Sequence, residues 1–249
     1  MSDLQTPEDP RKRLTSRSFI CYLITQGFGA INDSMFRWLI VPVAKYRIAE
    51  QFSTAATDAA SSESASVEAV ALAAGLACFV LPFIIFASYA GFLADKFSKR
   101  KVTIACKVAE VAIMAIGVAG IWWGNICALY VILFGMGTQS ALMSPSKLGI
   151  IPEIVTKDRV SAANGAVGLV TVVAVVLGTI GGNYLYALTA PYGTNGLWKP
   201  AMALLGVAGI GLLASLMIMP VNAADPKRRF PVNPVAESWS DLKLSLIHI

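Results

Sequence analysis

Apolar residues in this chain gather in six long runs, at residues 18–46, 67–90, 102–123, 126–143, 162–188 and 200–219, with polar stretches between them. A helix of ~20 apolar residues covers the ~30 Å of a bilayer's hydrocarbon. The pattern therefore predicts six membrane-spanning helices in an all-α, polytopic fold. The first run has a basic start, as a signal peptide would, but apolar sequence resumes at residues 35–44. That makes the segment long enough to span, and no cleavage is expected.

The polar stretches set the orientation. Residues 1–16 carry Pro7, Pro10 and Arg11-Lys12-Arg13 and read as a disordered cytoplasmic leader. Residues 47–66, rich in Ala, Ser and Thr with Glu50, Asp58 and Glu63, suit the outer side, as does the turn-rich segment 190–196. Trp122, Trp123 and Asn125 mark an interface and a short outer turn. Fifteen of the 20 Lys and Arg fall in the stretches assigned to the inside, three outside (Lys45, Arg47, Lys199) and two within spans (Arg37, Lys107). Short loops rich in Lys and Arg stay cytoplasmic, so both termini are expected there.

Composition agrees. At 249 residues, 56% hydrophobic and 14% charged, with a mean hydropathy of +0.65, the chain falls in the membrane class. Its net charge of +5 sits in loops without interleaved aromatics, which argues against a nucleic-acid partner. Cys21, Cys78, Cys106 and Cys127 lie far apart inside apolar runs and read as small core residues. The one histidine, His248, lies in the last residues, so no His-based catalysis is proposed. No cofactor or metal spacing is present, and the chain is not expected to be an enzyme.

Between the second and third runs stands Gly91-Phe92-Leu93-Ala94-Asp95-Lys96-Phe97-Ser98-Lys99-Arg100-Lys101. It predicts a tight basic turn in which Gly91 allows close backbone approach at a helix end and Asp95 accepts bonds from the next helix's first amides. The stretch resembles the signature loop between the second and third helices of the major facilitator superfamily, with Ser98 where that family usually has glycine. The resemblance implies a secondary transporter whose six-helix halves are each built from inverted three-helix repeats. It casts Gly91, Asp95, Lys96, Lys99 and Arg100 as a conformational latch.

Charges inside a bilayer are costly and face a cavity or a partner. Asp33 and Arg37, one turn apart beside Asn32, form either a self-satisfied ion pair or a polar patch in a central cavity that meets a zwitterionic headgroup or couples a proton. Lys107 and Glu110, three residues apart, read as a structural pair. Gly178 and Gly182 have the GxxxG spacing of a packed helix interface.

A narrower resemblance rests on Gln26-Gly27-Phe28-Gly29-Ala30-Ile31-Asn32-Asp33, on Ser144-Pro145-Ser146-Lys147-Leu148-Gly149-Ile150-Ile151-Pro152-Glu153, and on Ala163-Asn164-Gly165. These are similar to the lysophospholipid transporter branch of the superfamily, with Asn32-Asp33 reversed in order and Ser146 and Leu148 in place of Ala and Tyr. The resemblance implies inward movement of lysophospholipids, chiefly lysophosphatidylethanolamine, across the bacterial inner membrane. Substrate or coupling roles then fall to Asn32, Asp33, Arg37, Ser144, Lys147 and Asn164. Pro145 and Gly149 are expected to break the helix, leaving Lys147 to meet a phosphate or the Asp95 loop. Some members of the branch are fused to acyltransferase and acyl-ligase domains, so the alternative readings are the membrane part of such an enzyme or a major facilitator transporter for another small molecule.

The expected organisation is a leader at 1–16, a six-helix bundle at 17–220, and a cytoplasmic linker at 221–243 similar to the one that leads to the family's second half. Residues 244–249, Leu-Ser-Leu-Ile-His-Ile, match the translation of a transposase-end sequencing adapter. The chain is accordingly read as the amino-terminal half of a longer transporter, its partner being a second six-helix half.

Overall fold

The computed structural model describes residues 13–53, 60–123, 126–189, 198–223 and 225–227. Most of the leader, the 190–196 turn, most of the linker and the 244–249 tail lie outside these residues. The described residues form helices and no strand: α1 (Arg17–Ser53), α2 (Ala60–Ile85), α3 (Ala87–Lys96), α4 (Lys99–Trp123), α5 (Ile126–Gly149), α6 (Ile151–Ile154), a 3-10 turn at Lys157–Arg159, α7 (Val160–Thr189) and α8 (Trp198–Leu216). Among them, Lys99–Gly120 and Lys157–Leu188 are each long and apolar enough to cross a membrane. Ala73–Ile85 with Ala87–Lys96 makes a third such segment if the pair is one span.

That pair replaces the continuous second run with two helices meeting at 52°. Phe86, at φ −101° and ψ 6°, leaves the helical region between them. Pro82 lies one turn earlier and removes a backbone N–H from the ladder. The basic stretch is also more helical than expected, since Gly91 to Lys96 continue α3 and only Phe97 and Ser98 separate it from α4. Gly91 makes no close approach, for a Cβ there would meet nothing within 4 Å. Ala90, Phe92 and Ala94 carry the packing of α3 instead.

The second inner loop is helical as well. Pro145 lies inside α5, which runs on to Gly149. Proline removes one donor but leaves the following turn intact, and the Ile150 N–H still reaches the Ser146 carbonyl at 3.1 Å. α6 follows with Pro152 in its first turn, where a missing N–H costs nothing. Ile150, Ile151, Ile154 and Val155 are buried, so this connection is part of the core.

Glycine lets the helices close. The most extensive contact joins α1 to α7. A Cβ at Gly178 would stand 2.7 Å from the Ile31 carbonyl oxygen, and one at Gly182 would stand 2.9 Å from that of Met35. Gly137 of α5 lies against the backbone of Phe79 in α2 in the same way. Without a hydrophobic drive between helices in lipid, such backbone approach supplies the packing.

Two apolar clusters bracket the bundle. One joins Phe19 and Tyr22 of α1 to Ile150, Ile154, Val155, Ala163 and Ile218. The other joins Met35 and Phe36 to Met114, Leu133, Met136, Leu204 and Ala208. Beside these clusters α1, α4 and α5 carry the polar residues Thr25, Gln26, Asn32 to Ser34, Lys107, Glu110, Gln139 and Ser140, and this layer holds the candidate site.

Candidate functional site

The site is a ring of polar contacts linking α1, α4 and α5. Glu110 is its hub. Its Oε1 accepts from Asn32 Nδ2 at 2.9 Å, and its Oε2 accepts from Lys107 Nζ at 2.5 Å and Gln139 Nε2 at 3.2 Å. Gln139 Oε1 faces Ser140 Oγ at 3.1 Å, and Ser140 Oγ lies 2.8 Å from Asp33 Oδ2, which returns the ring to α1. Lys107, Glu110 and Asn32 are 1%, 1% and 0% exposed. An ion pair so enclosed persists only when hydrogen bonds satisfy the remaining lone pairs, and three donors on one carboxylate do so.

Backbone geometry makes room for this pair. Lys107 and Glu110 lie one turn apart on α4, where i and i+3 side chains meet. The Lys107 ammonium runs over Gly29 of α1 so closely that a Cβ there would collide with it, and Nζ would stand 3.8 Å from a Cβ at Gly211 of α8. Glycine at position 29 opens the slot the lysine fills, whereas a methyl group at 211 would make only ordinary contact with it.

Asp33 and Arg37 are not satisfied by each other. Asp33 uses Oδ2 toward Ser140, and its Oδ1 is buried without a partner. The Arg37 guanidinium lies 4.9 Å from the centroid of the Phe79 ring, with Nε buried and unpartnered. Asn32 Oδ1 is likewise buried and unpartnered. Lys147 interacts electrostatically with Asp33, Lys107 and Glu110, and the Tyr22 hydroxyl donates to its carbonyl oxygen at 2.5 Å. Ser144 and Asn164 are exposed, on α5 and α7. They are not brought into the ring.

The basic corner between α3 and α4 joins the bundle at one end. Lys99 pairs with Glu153 of α6, and Arg100 Nη2 donates to the Leu216 carbonyl at the end of α8 at 2.7 Å. The Asp95 carbonyl accepts from the Asp225 N–H at 2.8 Å. Lys96 lies over Phe92, 5.0 Å from its centroid. The Met219 N–H donates to Ser18 Oγ at 2.9 Å, which brings the start of α1 to the same end.

Sequence reasoning placed Asn32 and Asp33 in the site but took Lys107 and Glu110 as structural and passed over Gln139 and Ser140. A signal was present: Thr138-Gln139-Ser140 interrupts an otherwise apolar run. Among the described residues, no group of three or more His, Cys, Asp or Glu stands together as a metal site would require.

A family model described as the Major Facilitator Superfamily matches residues 27–247. The chain is 28% identical over 231 residues to the lysophospholipid transporter LplT of Pectobacterium carotovorum subsp. carotovorum, covering 91% of this chain and 48% of that protein. Against the lysophospholipid transporter LplT of Cronobacter sakazakii it is 25% identical over 243 residues, 97% of this chain and 53% of the relative. Against that of Salmonella paratyphi B it is 36% identical over 107 residues, 43% of this chain and 25% of the relative. The chain thus spans about half the length of the relatives that match nearly all of it.

Proposed function

The chain belongs to the Major Facilitator Superfamily, and from that premise we propose that it is the amino-terminal, six-span part of a secondary transporter for lysophospholipid-like amphiphiles. The spans are α1, α2 with α3, α4, α5, α7 and α8. The start of α1, the α3–α4 corner, the α5–α7 connection and the exit of α8 meet at one end of the bundle, which supports an even number of crossings. Lys99, Arg100, Lys157 and Arg159 put positive charge there, which supports a cytoplasmic assignment in the inner membrane. Relatives about twice as long support a second half that would complete the substrate cavity.

One observation carries the substrate reading. Asp33 Oδ1 and Arg37 Nε are buried, unpartnered and opposite in charge, one turn apart on α1. A zwitterionic headgroup supplies the complement, with its ammonium on Asp33 and its phosphate on Arg37, both as charge-assisted bonds. Lys147 and the α3–α4 corner stand nearer the cytoplasmic end, one to receive the phosphate and the other to latch the inner side. Nothing in this arrangement performs bond-making chemistry, so the reading is transport by alternating access rather than catalysis.

The test is binding of lysophosphatidylethanolamine by the purified protein in lipid nanodiscs. Asp33→Asn and Arg37→Ala should each weaken it at least tenfold without loss of folded protein. Binding by both variants equal to that of the parent protein would overturn the headgroup assignment.

A further inference from the structure

Arg37 follows Asp33 by one turn on α1, the spacing at which an acid and a base on one helix ordinarily pair. They do not pair here. Asp33 Oδ1 is left without a partner, and the Arg37 guanidinium lies over the Phe79 ring of α2, 4.9 Å from its centroid. That ring is held in place from several sides. Gly137 of α5 comes so close that a Cβ there would stand 2.2 Å from the Phe79 carbonyl oxygen and 3.1 Å from its Cα. The Phe83 ring, one turn further along α2, lies 6.1 Å away at 47°. Phe79 also packs against the apolar cluster that holds Met35 and Phe36 of α1. The ring is thus a platform fixed by α1, α2 and α5 together.

We propose that Phe79 is a positioning residue of the headgroup site and sets its preference for phosphate-bearing amphiphiles. The inference rests on the reading of Asp33 and Arg37 as the groups that meet a zwitterionic headgroup. A ring face attracts a guanidinium through its quadrupole yet offers no lone pair. The N–H donors of Arg37, the unpartnered Nε among them, therefore stay available for an oxyanion. A carboxylate in the place of the ring would take them up. By drawing Arg37 away from Asp33, Phe79 keeps two opposite charges on one helix from neutralising each other. A ligand with both an ammonium and a phosphate can then meet both, whereas a neutral amphiphile gains nothing from the arrangement.

Fluorination tests this, because it weakens the negative face of the ring while nearly keeping its size. The whole chain in nanodiscs, carrying mono- or trifluorinated phenylalanine at position 79, should bind lysophosphatidylethanolamine progressively more weakly, by about tenfold with three fluorines. The weaker binding of a monoacylglycerol with the same acyl chain should not change. Phe79→Leu should behave like the trifluorinated protein, and Phe79→Tyr, which keeps a ring, like the parent. In an Arg37→Ala background fluorination should have no further effect. Equal lysophosphatidylethanolamine binding by fluorinated and parent proteins overturns the proposal. So does equal weakening of both ligands, which marks the ring as packing only. Weakening by fluorine that persists in Arg37→Ala overturns it as well, since the ring would then meet the headgroup ammonium itself. If Phe79→Leu does not fold, the fluorinated series decides. Arg37→Ala binding as tightly as the parent sinks the headgroup reading and this proposal with it, whereas a loss in Arg37→Ala with none on fluorination sinks the role of Phe79 alone.

Discussion

Lys107 and Glu110 pair at 2.5 Å inside the bundle with both side chains 1% exposed, and the same Glu110 carboxylate holds Asn32 of α1 and Gln139 of α5. The pair is thus a joint between three helices. Removing one partner of such a pair strands a buried charge, at a cost of roughly 3–5 kcal/mol, whereas removing both charges is far milder.

Lys107→Met should accordingly lower thermal stability steeply, and the double variant Lys107→Met/Glu110→Gln should recover most of the loss. Gln at 110 keeps a carbonyl oxygen for one of Asn32 and Gln139, which donate to different oxygens of the Glu110 carboxylate, so the recovery stops short of complete. Buried Cys21 and Cys106 give the readout, because a thiol-reactive dye reaches them only as the bundle opens. A double variant no more stable than Lys107→Met would show that the charge balance of the pair is not what holds this joint.

Gly178 tests the α1–α7 contact. A methyl group there would stand 2.7 Å from the Ile31 carbonyl and 2.8 Å from Ser34 Cβ, so the helices must part. Gly178→Ala should cost about 1–3 kcal/mol by overpacking. Gly165→Ala on the same helix meets nothing within 4 Å. It should be neutral or gain up to about 1 kcal/mol from helix propensity. Equal midpoints for the two variants in a dye-labelling melt would contradict the close approach.

The GxxxG spacing was legible as a packed interface, and the apolar runs located nearly every long helix. What could not be read was the path at the helix ends. Pro145 and Gly91 look like breakers one residue at a time, yet a helix tolerates one missing N–H, and a glycine without a near neighbour has nothing to accommodate. The site was half legible for a similar reason. Asp33 stands out because a charge in an apolar run is costly, but Gln139 and Ser140 are cheap enough in a span to pass unnoticed. Only the crossing of α5 over α1 and α4 gives them partners, and that crossing has no local signature.

Lys99 and Glu153 join the α3–α4 corner to α6, with side chains 10% and 30% exposed. Solvent screens a pair at this depth, so its worth is about 1 kcal/mol or less. Its effect should therefore be local. Glu153→Gln should speed amide exchange across Ile151–Ile154 several-fold while leaving the global melt within error, and the charge-reversed pair Lys99→Glu/Glu153→Lys should restore slow exchange. Exchange in Glu153→Gln matching the parent would assign the order of α6 to its buried isoleucines alone.

Tyr22 and Lys147 give the last test, because one residue fixes the backbone of the other. Tyr22 is fully buried, and its hydroxyl donates to the Lys147 carbonyl within the last turn of α5, where helix carbonyls lack an intrahelical donor. Tyr22→Phe leaves that acceptor unmet and should cost about 1–3 kcal/mol. Lys147→Ala removes the charge but keeps the peptide, so it should lower lysophospholipid uptake without lowering expression or stability. If Lys147 serves the phosphate, Tyr22→Phe should impair uptake in part, through a misplaced lysine, beyond what its melt predicts. Unchanged uptake in Lys147→Ala would remove this lysine from the substrate path and leave the Tyr22 contact as a helix cap only.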